Sequence, residues 1–354
     1  MHADAFVPAG RTLPPVRLPT SARVEAPGRL HLGFLDPDGT LGRRFGSIGL
    51  VLDDLQTVVE LSRLGAGSAD RSTVFDGGVA ELARAGEHLR RLRAATGIDA
   101  PLSLALASAL PAHAGLGSGT QLALAVGRAF SSVFGLDLPT ARLAALLGRG
   151  ARSGVGIAGF DAGGLLVDGG PQPDGAPASL LARIPLPPAW RVVLVLDPRL
   201  QGLHGDGERQ AIATLDPLPR AVAAEICHEV LMRVLAGAAG GDFESFAAGV
   251  TRIQHLLGTH FAAAQSGRAY ASASVERVVT WIARHAHAGI GQSSWGPTGF
   301  AFLASLDEAR RTLGAARAAG IVDPALDIRV CAARNRGSSI VTSPGTLAAV
   351  STGA

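Results

Sequence analysis

Several short stretches of this chain carry residue types that can do chemistry. In "AGLGSGTQLALAVG", from Ala114, glycines at 115, 117 and 119 bracket Leu116 and Ser118, and Thr120 and Gln121 follow. Glycine has no Cβ and adopts positive φ freely, so the amides of such a loop can converge on one point. The apolar run behind it reads as a helix entered at Ser118, whose first amides and dipole add to the attraction for an anion. The hydroxyls of Ser118 and Thr120 suit extra donors or metal ligands. The same spacing also suits a plain strand-to-helix connection. It is neither the lysine-bearing phosphate loop nor a dinucleotide fingerprint.

Other stretches carry complementary groups. "APGRLHLGF" sets Arg29 and His31 at alternate positions, hence on one face of an extended segment, where they suit phosphate or carboxylate. "GRGARSGVGIAGFDAGGLLVDGG" offers Arg152 and Ser153 at a turn, with Asp161 and Asp168 beyond; Asp168 suits a metal or, equally, the capping of a turn. "DPRLQGLHGDGERQAI" packs His204 and Glu208 into a loop after an apolar strand, a common ligand-binding position. "GIGQSSWGPTGFAF" crowds Gln292, Ser293, Ser294, Trp295 and Gly296 into a second glycine-rich turn, where a tryptophan needs cover or a ligand to stack on. His255, His260, His285 and His287 have no shared ligand spacing and read as structural.

Composition narrows the chemistry. All 32 basic residues are arginine, so a Schiff-base lysine and a phosphate-loop lysine are excluded, and phosphate must be held by guanidinium forks, amides or metal. Neither PLP nor flavin is expected. The arginines are dispersed, the net charge is +3 and aromatics make up 5%, which points to small anionic ligands rather than nucleic acid. Cys227 and Cys331 lie far apart, without zinc or disulfide spacing. No apolar run is long enough to cross a membrane and no signal-peptide order opens the chain, so a cytoplasmic protein is expected.

The elements that must position these groups follow from periodicity. The expected order is a strand, a Pro-Gly turn and a second strand over 22–34, then strand-like runs in "GSIGLVLDD" and "QTVVELSRL". A helix from Val79 buries Val79, Leu82, Ala85, Leu89 and Leu92. A strand at 101–110 feeds the glycine loop, a helix runs from Ser118 to Gly135, a second is capped by Thr140, and 163–170 is a buried strand. The Pro- and Gly-rich segment 171–190 is the expected domain boundary. After it come a buried strand, helices near 219–238, 242–258 and 273–288, the second glycine-rich turn, a strand, a helix and a last strand. This is a two-domain α+β chain, with a flexible extension over 1–21, an N-terminal domain at 22–180 and a C-terminal domain at 190–350.

"APGRLHLGF", "PAHAGLGSGTQLALAVG" and "GQSSWGPTGFAF" together resemble the three ordered motifs of the GHMP kinase superfamily, over about 22 to 340. The second motif departs from the kinases: Gly119-Thr120-Gln121 follows Ser118 where kinases tend to have Ser-Ala. "RRFGSIGLVLD", with Ser47, "RSGVGIAGFDAGGLLVDGG" and the third motif are instead similar to the superfamily's β-ribofuranosylaminobenzene 5′-phosphate synthases. The resemblance implies a GHMP-kinase-like fold, with an N-terminal half like the second domain of a small-subunit ribosomal protein and a ferredoxin-like C-terminal half. It implies condensation of phosphoribosyl pyrophosphate with 4-aminobenzoate, or 4-hydroxybenzoate, releasing CO2 and pyrophosphate in tetrahydromethanopterin biosynthesis. Mg2+ and a homodimer are implied as well. On this reading the 115–121 loop, with Ser118 as a metal ligand, takes the diphosphate. Arg29, His31, Arg152 and Asp168 are catalytic, and Ser47, Ser153, His204, Glu208 and 292–296 bind substrate. The alternative is an ATP-dependent small-molecule kinase with Asp161 as its base.

Overall fold

The computed structural model describes residues 18–172, 175–176, 178–203 and 205–344, with the backbone alone at 206, 208, 209, 212 and 344. The first unit comprises β1 (Pro19–Asp36), β2 (Phe45–Arg63), β3 (Arg71–Val74), α1 (Val79–Thr96), β4 (Leu102–Ser108), α2 (Ser118–Phe134), α3 (Thr140–Leu146), α4 (Val155–Ala162), β5 (Leu165–Asp168) and β6 (Leu180–Ile184). The second comprises β7 (Arg191–Leu196), α5 (Gly205–Ala213), α6 (Arg220–Glu229), α7 (Ala236–Gly240), α8 (Phe243–Phe261), α9 (Ala273–His285), β8 (Gly289–Gln292), β9 (Gly299–Leu303), α10 (Leu306–Ala318) and β10 (Asp327–Ala332). A π-helical segment, Val230–Leu235, joins α6 to α7. The last strand, β11 (Ser339–Pro344), crosses back to pair with β1.

Two sheets result. The larger runs β11-β1-β2-β4-β3, with β5 pairing β2 and β6; the smaller is antiparallel in the order β10-β7-β9-β8. The smaller sheet, with helices between its first and second and its third and fourth strands, is the ferredoxin-like arrangement. Among the described residues no helix is long and apolar enough to cross a membrane.

Several sequence expectations are corrected. Pro27-Gly28 does not turn the chain: β1 runs through it with register shifts between Pro27 and Arg29 and between His31 and Gly33. Proline removes one ladder N–H, which breaks pairing locally without reversing the strand, and a Cβ at Gly28 would lie 2.9 Å from Leu110. The first half of β1 buries Ala22, Val24 and Ala26 under α1 and α2, while Leu30 and Leu32 enter the core shared with Trp190, Phe246, Phe300 and Phe302. One strand therefore serves both cores and carries Arg29 and His31 to their junction. The two runs expected after it are one strand, β2. Residues 19–21 belong to β1 rather than to an extension, and 1–17 lie outside the described residues. By pairing, 339–344 belong to the first sheet and not to the C-terminal unit.

In α1 the buried positions are Ala85, His88, Leu89 and Leu92, while Val79 is exposed at the helix start. Thr140 is the first residue of α3 rather than its cap: its hydroxyl accepts from Arg128 (2.7 Å) and donates to Asp161 (2.6 Å). No element is expected over 155–162, yet α4 forms there, and glycine allows it to pack closely: a Cβ at Gly159 would stand 2.7 Å from Val51. Gly289 and Gly291 belong to β8, where missing side chains let α8 lie directly on the strand.

His88 has no hydrogen bond at either ring nitrogen, and burial, with Arg149 and Arg91, holds its pKa at about 4. The unfolded imidazole takes up a proton near pH 6.5. Between about 6.5 and 4 the unfolded chain therefore binds the proton more readily, and stability falls as pH drops through that window. Thermal melts from pH 7 down to 4.5 should show a falling Tm, and His88→Leu should flatten the fall. An unchanged slope in the variant would refute this account.

Candidate active site

Where β1, the α2 entrance and the β8–β9 turn meet, backbone and side chains knit three distant segments together. The Arg29 amide donates to the Leu116 carbonyl (3.1 Å), and Arg29 Nη1 donates to the Gly115 carbonyl (3.0 Å). Ser293 Oγ accepts from the His31 amide (2.9 Å) and donates to the same Gly115 carbonyl (2.7 Å), while the Ser294 amide donates to the His31 carbonyl (3.3 Å). Gly115 (φ +83°) lies so close to the Ser293 carbonyl that a side chain there would overlap it. Ser294 and His113 hold positive φ without being glycine (54° and 56°), backbone strain of the kind that surrounding structure must enforce.

This knot walls a cavity of about 280 Å³. Arg29, Arg149, Arg152, His31 and His113 line it, with Gly115, Thr120, Ser153, Ser294, Trp295 and Gly296 among the rest, and no carboxylate is present in its described wall. Arg29 lies over Gly117 and Arg149 over Gly119, where added Cβ atoms would stand 3.2 and 3.3 Å from the guanidiniums. The loop glycines thus make room for arginines, while helix geometry gives the Ser118 and Gly119 amides no intrahelical acceptor.

Electrostatics follow from that crowding. Burial, reinforced by Arg29 and Arg152, lowers the His31 pKa well below the ordinary histidine value, so its imidazole is neutral near pH 7. Its Nε2 is buried without a hydrogen-bond partner. Burial, then Arg84 and Arg91, lowers the Arg149 pKa, as expected of a cation short of counter-charge.

A second pocket, about 200 Å³, adjoins the first. The two share His31, Phe34, Ser294 and Trp295. The second is mainly apolar and aromatic, with Phe34, Phe261, Tyr270 and Trp295 in its wall, and Phe261 meets Trp295 edge-on at 4.7 Å between centroids. Its described lining has no arginine. The pair of compartments suits a polyanion beside a flat aromatic molecule.

Of the sequence candidates, Arg29, His31, Arg152, Ser153, Gly115, Thr120, Ser294, Trp295 and Gly296 line the cationic cavity, and Gln292 lines the aromatic pocket. Others support the wall from behind. Asp168 is fully buried and does not line the cavity. Its Oδ2 accepts from the Gly154 and Val155 amides (2.9 and 3.1 Å) and from Ser47, and its Oδ1 from the Gly170 amide (2.8 Å). Burial nonetheless raises its pKa from the ordinary aspartate value. It caps the start of α4 and fixes the turn that presents Arg152. Ser47 is buried against Asp168 and Ser153, and Ser293 is the buried knot described above. Leu116 is core; Gly117, Ser118 and Gly119 do not line the cavity; Gln121 Nε2 donates to the Gly156 carbonyl (2.9 Å) and braces α4. His204 lies outside the described residues, and Glu208 falls in α5, described there by backbone alone.

Arg149 and His113 escaped the sequence reading, although the "GRGARSG" turn and the start of the glycine loop were the place to find them. The expected Mg2+ does not fit the described wall as a protein-held ion. That wall offers it hydroxyls but no carboxylate, and no group of three or more His, Cys, Asp or Glu among the described residues is placed to hold a metal. Within the described wall the groups able to offset a substrate's negative charge are arginines.

Residues 81–164 match the GHMP kinases N terminal domain, and residues 231–322 the GHMP kinases C terminal domain. A homoserine kinase from Cytophaga hutchinsonii shares the fold, with a TM-score of 0.64 at 17% identity over 93% of this chain and 100% of that one. The class is therefore the GHMP-kinase fold. Two curated relatives named beta-ribofuranosylphenol 5'-phosphate synthase narrow it. The protein from Archaeoglobus fulgidus is 35% identical over 66% of this chain and 75% of its own length, and that from Methanothermobacter thermautotrophicus is 30% identical over 90% and 98%. The chain belongs to the GHMP kinase superfamily, in the family of these beta-ribofuranosylphenol 5'-phosphate synthases.

Proposed function

We propose that the chain joins the anomeric carbon of phosphoribosyl pyrophosphate to the carboxyl-bearing ring carbon of a 4-substituted benzoate. The observation that carries this reading is the pairing of an arginine-lined cavity with an apolar aromatic pocket across one shared wall. The name of the relatives supports it.

The bond from the anomeric carbon to the diphosphate oxygen breaks, and its electron pair leaves with the diphosphate. Arg29, Arg149 and Arg152 bind the phosphates and take up the growing negative charge. The ring carbon supplies a π pair to the oxocarbenium-like centre, and CO2 departs, returning its bonding pair to the ring. His31, between the compartments, is kept neutral by burial and by its arginine neighbours. An imidazolium there would repel the developing cation. Trp295 and Phe34, in both walls, hold the aryl ring against that centre.

A kinase would need a carboxylate at the acceptor hydroxyl. The expected base, Asp161, is bonded to Thr140 and lies outside both pockets, so no observation favours that reading. Purified protein given phosphoribosyl pyrophosphate and carboxyl-labelled 4-hydroxybenzoate or 4-aminobenzoate, with and without Mg2+, should release labelled CO2 in step with diphosphate. No label release from either acid, with ATP consumed on a small alcohol instead, would overturn the proposal.

A further inference from the structure

We infer that Arg149 binds the 5′-phosphate of phosphoribosyl pyrophosphate, at the end of the cationic cavity that faces α1, and that the diphosphate falls to Arg29 and Arg152. This rests on the substrate reading of the two compartments proposed above.

The fold sets the three arginines apart. Arg29 stands two residues from His31 on β1, lies over Gly117 and donates to the Gly115 carbonyl (3.0 Å). Arg29 and Arg152 are the charges that act on His31, which belongs to the wall shared with the aromatic pocket. Arg149 lies over Gly119 in the first turn of α2, and the charges that act on it are Arg84 and Arg91 of α1. The backbone agrees: a Cβ on Gly148 would stand 3.6 Å from Arg91 Nη1.

The α1 side of the cavity is built for an anion. Arg84, His88 and Arg91 follow at spacings of four and three, hence on one face of the helix. Arg84 and Arg91 are bonded to Glu81 and Glu87 (2.7 and 3.0 Å), and His88 is held neutral near pH 7. Arg149 differs: its Nε is buried without a hydrogen-bond partner, and it lines the cavity beside Thr120. Its place is fixed by its amide, which donates to the Ala144 carbonyl (2.7 Å), between Gly148 and Gly150 at positive φ (67° and 91°).

The substrate then has one orientation. Its anomeric carbon must face the aryl ring at the shared wall, and the diphosphate, attached to that carbon, stays near Arg29 and Arg152. The 5′-phosphate leaves the sugar ring from the far side and reaches the remaining arginine. The two subsites do different work. The diphosphate gains charge as its bond breaks, so its partners act on kcat. The 5′-phosphate carries the same charge before and during that step, so Arg149 acts through uniform binding and hence on KM.

The test titrates D-ribose 5-phosphate and inorganic diphosphate separately into wild type, Arg149→Gln and Gly119→Ala, and measures kcat and KM for phosphoribosyl pyrophosphate by CO2 release. Gly119→Ala keeps the arginine but sets a methyl group against its guanidinium. Arg149→Gln should weaken ribose 5-phosphate and raise KM by about tenfold or more, the loss of one charge-assisted bond, with diphosphate affinity and kcat within about threefold of wild type. Gly119→Ala should move the same quantities in the same direction by less. Where ribose 5-phosphate alone binds below detection, the division between KM and kcat decides. If Arg149→Gln does not melt like wild type, Gly119→Ala decides. Diphosphate binding lost while ribose 5-phosphate is kept, a lower kcat at unchanged KM, or an unmoved KM in the folded variants would overturn the inference and leave the synthase reading in place. A wild-type protein that releases no CO2 and binds no phosphoribosyl pyrophosphate would remove the synthase reading and this inference with it.

Discussion

Arg152→Gln should lower kcat/KM for phosphoribosyl pyrophosphate by about 10²–10³, the range seen when one preorganised charge-stabilising donor is removed from a dry site. Arg152 lines a cavity whose described wall carries two other arginines, so its guanidinium adds to the positive charge that a phosphate would meet there. Its position is set by Asp168 and Ser47, which hold the adjoining Ser153–Val155 turn. Arg29 would be a less clean target, because its amide and guanidinium also bond the glycine loop, and its loss would loosen the motif junction. The variant should melt close to wild type. A folded Arg152→Gln enzyme with unchanged kcat/KM would remove Arg152 from the phosphate site.

Asp168→Ala should act on the fold instead, lowering unfolding free energy by about 3 kcal/mol or more, as expected when several buried donors lose one acceptor. The amides of Gly154, Val155 and Gly170 and the Ser47 hydroxyl all converge on that carboxylate. Asp168→Asn keeps the shape and one oxygen, so it should cost less, the amide NH2 conflicting with only part of the donor set. Urea unfolding of both variants, with kcat/KM measured on the folded fraction, separates this from catalysis. If Asp168→Asn keeps wild-type stability yet loses turnover, Asp168 belongs among the groups that touch substrate after all.

What the sequence by itself determined is local. Periodicity located α1, α2, α8, α9 and α10, because a 3.6-residue apolar stripe is readable without knowing what it packs on. Alternation on β1 put Arg29 and His31 on one face, and an arginine-only cation set pointed to guanidinium-held anions. Three motifs in order pointed to the family that the relatives bear out. Glycine was the ambiguous letter. At 115 it admits the Ser293 carbonyl, at 117 and 119 it seats Arg29 and Arg149, at 159 it lets α4 lie against β2, and in β8 it lets α8 approach. A missing side chain says only that something comes close, and only the tertiary structure says what does. Side-chain roles were decided there as well. Asp168 became a capping acceptor and Ser293 a knot because their partners lie 13 to 14 and 178 to 262 residues away. Arg149 and His113 joined the site through contacts that no spacing along the chain records.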